Sequence, residues 1–434
     1  MKPHKLNRRD FLRRSAKGTL GFGIGLSRLS RDNEVFQNYP SIKEYRKLGR
    51  TGFLVSDIGS GIPYSEAVLK AVIDSGVNFI ETSESYDNGR NEILIGKTIK
   101  NLNREKLFIA TKLNISLGIT MSQDEIYTRA EESRKRLGSG YIDLYMMHQA
   151  QSILKVSDRN FHRACDRLRK EGKIRFVGLS CHGSFWWQEQ GGSLEDILIA
   201  AIEDGRYDVL FFPYNFLDPG MGERILARCK AANIGTMIMK SNPVGILESY
   251  ESVLKRGDEL GFLEQKDYET KKIQMEKAGN FFRKYGMTGT EDLKRGAYRF
   301  ILSNDNVSTI CCRFRNFSDI DMYVGLSGSR LNEKENLLLA EFRESLGFLN
   351  CRIGCNKCEK SCPVHLPVST IMRYYYYSQA LSEQETASSL YRNIGNNESG
   401  ICRKCQGHCE KACPHNVAIR FLLADAHRQL SKIT

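Results

Sequence analysis

The sequence predicts an α/β chain, a (β/α)8 barrel followed by a small helical domain rich in cysteine. Two observations carry this expectation. From about residue 44, short apolar runs alternate with amphipathic helical stretches, and such alternation argues for parallel βαβ units. About eight units within roughly 270 residues suit a closed barrel better than an open sheet. The second observation is that eight of the 13 cysteines crowd into two short runs near the C-terminal end. No fixed-period repeat accompanies the alternation.

The elements follow in order. Residues 45–58 read as a hairpin with Arg50-Thr51-Gly52 as its turn, and a first barrel strand is implied near 55–59. Strand-like runs then occupy 77–82, 107–112, 142–148, 174–180, 209–213, 236–240 and 307–311. Helical periods fall at 66–74, 122–137, 157–169, 194–204 and 224–232. A charged insertion at 242–280 follows the seventh strand, either a lid over the site or a solvated helix. An amphipathic helix at 331–346 closes the barrel and leads into the cysteine domain. There, 368–380 and 418–430 read as helices, and Tyr374-Tyr375-Tyr376-Tyr377 is expected to pack between them. The expected organisation is a leader at 1–33, a barrel at 44–330 and a cysteine domain at 345–434.

Composition is that of a globular protein, 41% hydrophobic and 26% charged. The formal charge of +13 owes much to the first 17 residues, where Lys2, Lys5, Arg8, Arg9, Arg13, Arg14 and Lys17 face only Asp10. No basic stripe interleaved with aromatics occurs elsewhere, so nucleic acid is not an expected partner. No stretch reaches the roughly 18 apolar residues of a spanning helix. Asn7-Arg8-Arg9-Asp10-Phe11-Leu12-Arg13, followed by a short glycine-rich apolar run, resembles a twin-arginine (Tat) export signal. That resemblance implies the Tat machinery as a partner and a periplasmic location. No A-x-A cleavage site follows, so the segment could persist as an anchor. A disordered basic tail is the alternative.

The cysteine runs read Cys351-x3-Cys355-x2-Cys358-x3-Cys362-Pro363 and Cys402-x2-Cys405-x3-Cys409-x3-Cys413-Pro414. Thiolates are soft ligands, and these spacings let one turn of chain wrap several sulfurs around one centre. A last cysteine stiffened by proline often reaches across to the other run's centre. The expectation is two [4Fe-4S] clusters with crossed fourth ligands. The alternatives are two four-cysteine zinc sites or a disulfide scaffold. Export favours metallation, because free thiols outside the reducing cytosol are at risk.

Polar residues stand where the apolar strands stop: Glu81, Lys112, His148, Ser180 and Lys240. Carboxyl ends of barrel strands line the mouth where barrel enzymes do chemistry. A lone histidine there would be a satisfied core residue. A Glu and two Lys on the same rim are costly to bury without pairing or function.

Gly76-Val77-Asn78-Phe79-Ile80-Glu81-Thr82-Ser83-Glu84-Ser85-Tyr86, with Asn91-Glu92-Ile93-Leu94-Ile95-Gly96 after it, resembles the aldo-keto reductase signature. The blocks ending in Lys112, His148 and Ser180 match that family in order, as does the hairpin 45–52. The resemblance spans roughly residues 44–330. It implies a catalytic tetrad of Glu81, Tyr86, Lys112 and His148, with Glu81 replacing the family's Asp. It implies hydride transfer between NADP(H) and a carbonyl or alcohol. Tyr86 would carry the proton, eased by the cation of Lys112, and His148 would orient the carbonyl. Ser180, Asn215 and Lys240 sit where the family holds nicotinamide and the adjoining ribose–phosphate. Arg315 matches the base that pairs with the adenosine phosphate, and Arg313 replaces a glycine two residues before it. The C-terminal domain resembles an α-helical ferredoxin module.

Together these features predict an exported oxidoreductase of aldo-keto reductase type, coupled to a redox partner through two [4Fe-4S] clusters. The substrate expected is a small carbonyl or alcohol. Phe185-Trp186-Trp187, beside Cys181-His182, would suit the stacking of a sugar or an aromatic substrate, with core packing as the alternative. The competing expectation is an iron–sulfur electron-transfer or binding protein whose barrel no longer uses free nicotinamide.

Overall fold

The computed structural model describes residues 39–431, apart from 115–119, 184–191, 246–275, 278, 288, 382, 395–400 and 403. The leader, most of the insertion after the seventh barrel strand, and Phe185-Trp186-Trp187 therefore lie outside the described residues. Among the described residues no helix is long and apolar enough to cross a membrane.

Ten strands are described. A hairpin of β1 (Tyr45–Lys47) and β2 (Leu54–Ser56) precedes the eight strands of a closed parallel barrel. These are β3 (Ile58–Gly61), β4 (Phe79–Glu81), β5 (Phe108–Asn114), β6 (Ile142–His148), β7 (Ile174–Ser180), β8 (Val209–Pro213), β9 (Gly235–Met239) and β10 (Thr309–Cys312). β10 closes the ring by pairing with both β9 and β3. The predicted (β/α)8 architecture is thus present. The helices used below are α1 (Glu66–Asp74), α2 (Arg90–Ile99), α3 (Gln123–Arg136), α4 (Arg159–Lys170), α5 (Leu194–Asp204), α6 (Pro219–Ala231), α7 (Glu291–Leu302) and α8 (Glu333–Leu346). Several start where a capping side chain demands it. Ser65, Ser122, Asp158 and Ser193 each accept a hydrogen bond from a first-turn amide.

The barrel interior is filled from its floor by Leu48, Phe79, Phe108, Leu144, Met146, Val209 and Met237. Leu48 enters from the hairpin, which plugs the amino-terminal end. Gly49 makes this possible: its φ is +50°, and a Cβ there would lie 2.1 Å from the Gly235 nitrogen.

Two expectations need correction. The single first strand expected at 55–59 is two, because Asp57 breaks it. Its buried carboxylate accepts from the Ser327 hydroxyl at 2.7 Å and the Gly328 amide at 2.8 Å, turning the chain from hairpin into barrel. Helix α6 begins at Pro219 and not at 224. Gly220 and Gly222 hide its first turn in the sequence, yet Gly222 packs so close to Tyr214 that a Cβ would sit 2.1 Å from the ring.

Beyond α8, helices α9 (Val368–Leu381), α10 (Gln384–Arg392) and α11 (Ile419–Leu430) enclose a second core with Cys358, Cys362, Cys402 and Cys409. Residues 39–434 form one compact unit, so module and barrel are packed together. Helix α9 is buried almost all round, as a helix wedged between two bodies must be. The tyrosine run does more than pack between helices. Tyr375 donates to Asp425 inside the module, while Tyr376 donates to the Asn242 carbonyl at 2.6 Å and Tyr377 faces the barrel mouth.

Candidate active site

The strand ends bring four of the predicted residues together. Glu81 closes β4, Lys112 lies near the end of β5, His148 closes β6, and Tyr86 stands on the turn after β4. Lys112 and Glu81 are 1% and 2% exposed and form an ion pair, and Lys112 Nζ also donates to the Thr82 carbonyl at 2.5 Å. The extra methylene of Glu81 is accommodated because Gly61 faces it: a Cβ there would approach Glu81 Oε2 to 3.1 Å. Lys112 Nζ lies 4.6 Å from the centre of the Tyr86 ring, and the His148 ring meets that of Tyr86 edge-on at 5.8 Å. His148 Nδ1 is 3.3 Å from Ser83 Oγ, which itself donates to the Lys112 carbonyl at 3.2 Å.

Burial governs the electrostatics. It lowers the Lys112 ammonium, with Arg313 adding to this and the Cys311 thiol opposing, while the direct ion pair with Glu81 keeps the charge in place. Burial pushes the Tyr86 phenol up, with the Arg313 cation opposing. His148 is held well below its ordinary value by burial, then by Lys112 and Arg373. The site thus pairs a neutral imidazole with a phenol that keeps its proton.

Ser180 ends β7, buried, its hydroxyl 3.4 Å from the Gln149 amide that donates to it. Asn215 donates to the Lys240 carbonyl at 3.0 Å and accepts from the Leu217 amide at 3.1 Å. Lys240 lies one residue past β9 with a φ of +57°. Its ammonium is 4.1 Å from the Tyr377 ring centre, and burial lowers it to about 8, with Tyr377 opposing. Burial alone would raise the Tyr377 phenol, but Lys240 and Arg373 more than offset it and lower it instead.

Arg315, expected at the adenosine phosphate, and Arg313, which stands in place of the family's glycine, are both already engaged by the C-terminal module. Arg313 pairs with Glu383, and Arg315 donates to the Leu381 carbonyl at the end of α9. The seam is close elsewhere too: a Cβ on Gly183 would lie 2.8 Å from Gly354 Cα. Sequence reasoning missed Arg373, Tyr377 and Glu383 as residues of the mouth. One signal was available. Arg373 is the one charged residue of a helix rich in tyrosine and buried almost all round, where a cation needs a partner or a task.

The eight cysteines are all free thiols. Charge effects among them cross between the two runs. Cys351 feels Cys355, Cys358 and Cys413, whereas Cys402 feels Cys409, Cys362 and Cys405. Cys413 and Cys362, the two cysteines before proline, thus each come within range of the other run, and Cys358 likewise feels Cys409 ahead of Cys413 and Cys355. Among the described residues no group of three or more His, Cys, Asp or Glu is gathered as around a single metal ion. A [4Fe-4S] cage needs a wider arrangement, since each thiolate binds a different iron. Soft thiol donors from both runs packed into one core are of the kind such cages use. The Leu366 amide donates to Cys362 Sγ at 3.4 Å, a bond of the kind that tunes a cluster.

Comparison with known proteins places the barrel. Residues 62–344, well over half of the chain, match the model of the aldo/keto reductase family. An aldo-keto reductase of Gibberella moniliformis is 36% identical over 130 residues, 28% of this chain and 39% of that protein. The aldo-keto reductase YhdN of Bacillus subtilis is 27% identical over 238 residues, 50% of this chain and 68% of the relative. The NADH-specific methylglyoxal reductase of Escherichia coli is 26% identical over 188 residues, 40% and 54% of the respective lengths. The chain therefore spans from about two fifths to two thirds of the length of these relatives. A Bacillus halodurans aldo-keto reductase, AKR11C1 in its holo form, shares the fold with a TM-score of 0.50 at 20% identity, covering 69% of this chain and 95% of that one. With the closed parallel barrel and the family match over residues 62–344, the chain belongs to the aldo/keto reductase family.

Proposed function

We propose that the protein is an exported oxidoreductase that interconverts a small carbonyl compound and its alcohol at the barrel mouth, in electronic contact with two [4Fe-4S] clusters. The observation that carries the reading is the convergence of Tyr86, Lys112, Glu81 and His148 on one rim. In the reducing direction the Tyr86 hydroxyl gives its proton to the carbonyl oxygen. Lys112, held in place by Glu81, stabilises the phenolate left behind. His148, neutral through burial, offers a ring N–H to the carbonyl oxygen without adding charge. NADP(H), when bound, supplies or accepts hydride, and a [4Fe-4S] cluster, when bound, passes one electron at a time.

The residues assigned to nicotinamide fit unevenly. Ser180, Asn215 and Lys240 stand together at the mouth, but Arg313 and Arg315 are engaged by Glu383 and Leu381, and Tyr377 faces Lys240. That engagement favours the second reading, in which the barrel does not exchange free nicotinamide and the clusters carry the reducing equivalents to or from a redox partner. Anaerobic purification followed by extraction of small molecules separates the two. Tightly bound or exchangeable NADP(H) supports the first reading. Its absence, with turnover retained using a one-electron dye, supports the second. No carbonyl or alcohol turnover under either condition overturns the oxidoreductase reading.

The same preparation is expected to hold about eight iron and about eight acid-labile sulfide per chain, as two complete quartets require. Stoichiometric zinc without sulfide would replace the clusters by structural zinc sites. Export is read from Arg8 and Arg9. Changing both to lysine is expected to strand the protein in the cytoplasm, and cell fractionation checks it. Undiminished export of that variant removes the Tat assignment.

A further inference from the structure

Between the barrel mouth and the cysteine module lies a narrow cleft of about 50 Å³. Its walls carry Lys240 and Asn215 from the barrel, and Arg352, Asn350 and Arg373 from the segment after α8. Their unmet polar atoms are all donors. Arg373 Nη1, Arg352 Nε and Asn350 Nδ2 are buried and without a hydrogen-bond partner among the described residues. Arg373 is only 5% exposed, and among the described residues neither it nor Lys240 forms an ion pair with a carboxylate. A buried guanidinium with an open N–H is costly unless something anionic completes it.

The charges divide by what they face. Arg352 is in electrostatic range of Cys351, Cys413 and Cys355, and of Asp218, the acid on the cleft wall. It therefore answers the negative charge of a thiolate cage. Arg373 is instead in range of His148, His182, Lys240 and Tyr377, the groups of the mouth. The other mouth cations are accounted for, Lys112 by Glu81 and Arg313 by Glu383. Among the described residues, two cations of the cleft remain without a carboxylate partner, Lys240 from the barrel and Arg373 from α9, and Arg373 is within electrostatic range of His148.

We propose that Arg373, delivered by the cysteine module, acts with Lys240 to bind the carboxylate of the substrate, so that the barrel works on a small oxo or hydroxy acid. This rests on the carbonyl–alcohol reading above and adds the substrate's charge to it. A guanidinium fork matches a carboxylate with two parallel bonds, and a charge-assisted pair in a closed cleft is the strong kind. The small volume of the cleft suits a compact acid better than a bulky phosphorylated ligand.

The probes are pyruvate and methyl pyruvate, alike in their carbonyl and different in charge. Calorimetry on anaerobic, iron-loaded protein is expected to show pyruvate binding at least about tenfold more tightly than its ester. Arg373→Gln removes that preference, and Arg373→Lys, which keeps the charge and loses the fork, restores part of it. Iron content and thermal midpoint of each variant control for folding. Equal binding of acid and ester by the wild type, or a preference unchanged in Arg373→Gln, overturns the proposal. So does displacement of pyruvate by NADP+ with no ternary complex, which would assign the two cations to a cofactor phosphate. Failure of the oxidoreductase reading looks different: pyruvate still binds through Arg373, yet no carbonyl or alcohol is turned over.

Discussion

Tyr86→Phe is expected to lower carbonyl turnover by roughly 10²–10⁴-fold, the usual worth of a positioned general acid. The substitution deletes one hydroxyl and leaves the ring that meets His148 edge-on and lies beneath Lys112. Substrate binding and iron content should therefore stay at wild-type levels. A pH profile adds a sign. A phenol donates only while protonated, and burial raises that of Tyr86 above its usual range. Reduction should lose no rate through Tyr86 from neutral to mildly alkaline pH, whereas oxidation, which needs the phenolate, should climb with pH. Turnover retained in the phenylalanine variant would remove Tyr86 from the mechanism. A reductive rate that falls near pH 7 in step with Tyr86 ionisation would contradict the environment described.

The second large effect concerns the Lys112–Glu81 pair. Lys112→Met should destabilise the fold by about 3–5 kcal/mol, because it strands a carboxylate in the barrel interior without its cation. The double change Lys112→Met with Glu81→Leu should recover much of that loss, since an apolar pair of similar volume needs no compensation. Urea midpoints at matched iron content read both. A single variant within about 1 kcal/mol of wild type would mean that water reaches Glu81 and that the pair is not the buried one described. Both variants should be catalytically dead, so stability and activity separate: the double variant is stable and inactive.

The barrel was legible because its strands are apolar runs bounded by turn residues, and β6, β7 and β8 fall where the sequence puts them. Polar termini did the same for Glu81, Lys112 and His148, since an ionisable residue closing an apolar strand is costly to bury unless it meets a partner at a rim. What stayed hidden shares a cause. Asp57 breaks a strand by bonding to Ser327, some 270 residues away, and Gly222 sits in a helix because Tyr214 leaves no room for a side chain. Both are tertiary facts that override local pattern. The mouth was half legible for the same reason. Strand ends announce a rim, but nothing local tells that Arg373, Tyr377 and Glu383 come back to cover it. The tyrosine run is the sharpest case, since adjacent residues on one helix serve two bodies.

The contact of α9 with the mouth has a consequence in time. A ribosome finishes β3 to β10 before it makes Arg373 and Tyr377, so the newly made barrel has a rim missing one wall. Arg313 waits for Glu383 and Arg315 for the Leu381 carbonyl. Until the C-terminal stretch emerges and folds, those cations face solvent and the substrate side of the site is unfinished. Any agent that delays the folding of the last segment delays completion of a rim whose strand-end groups were made much earlier.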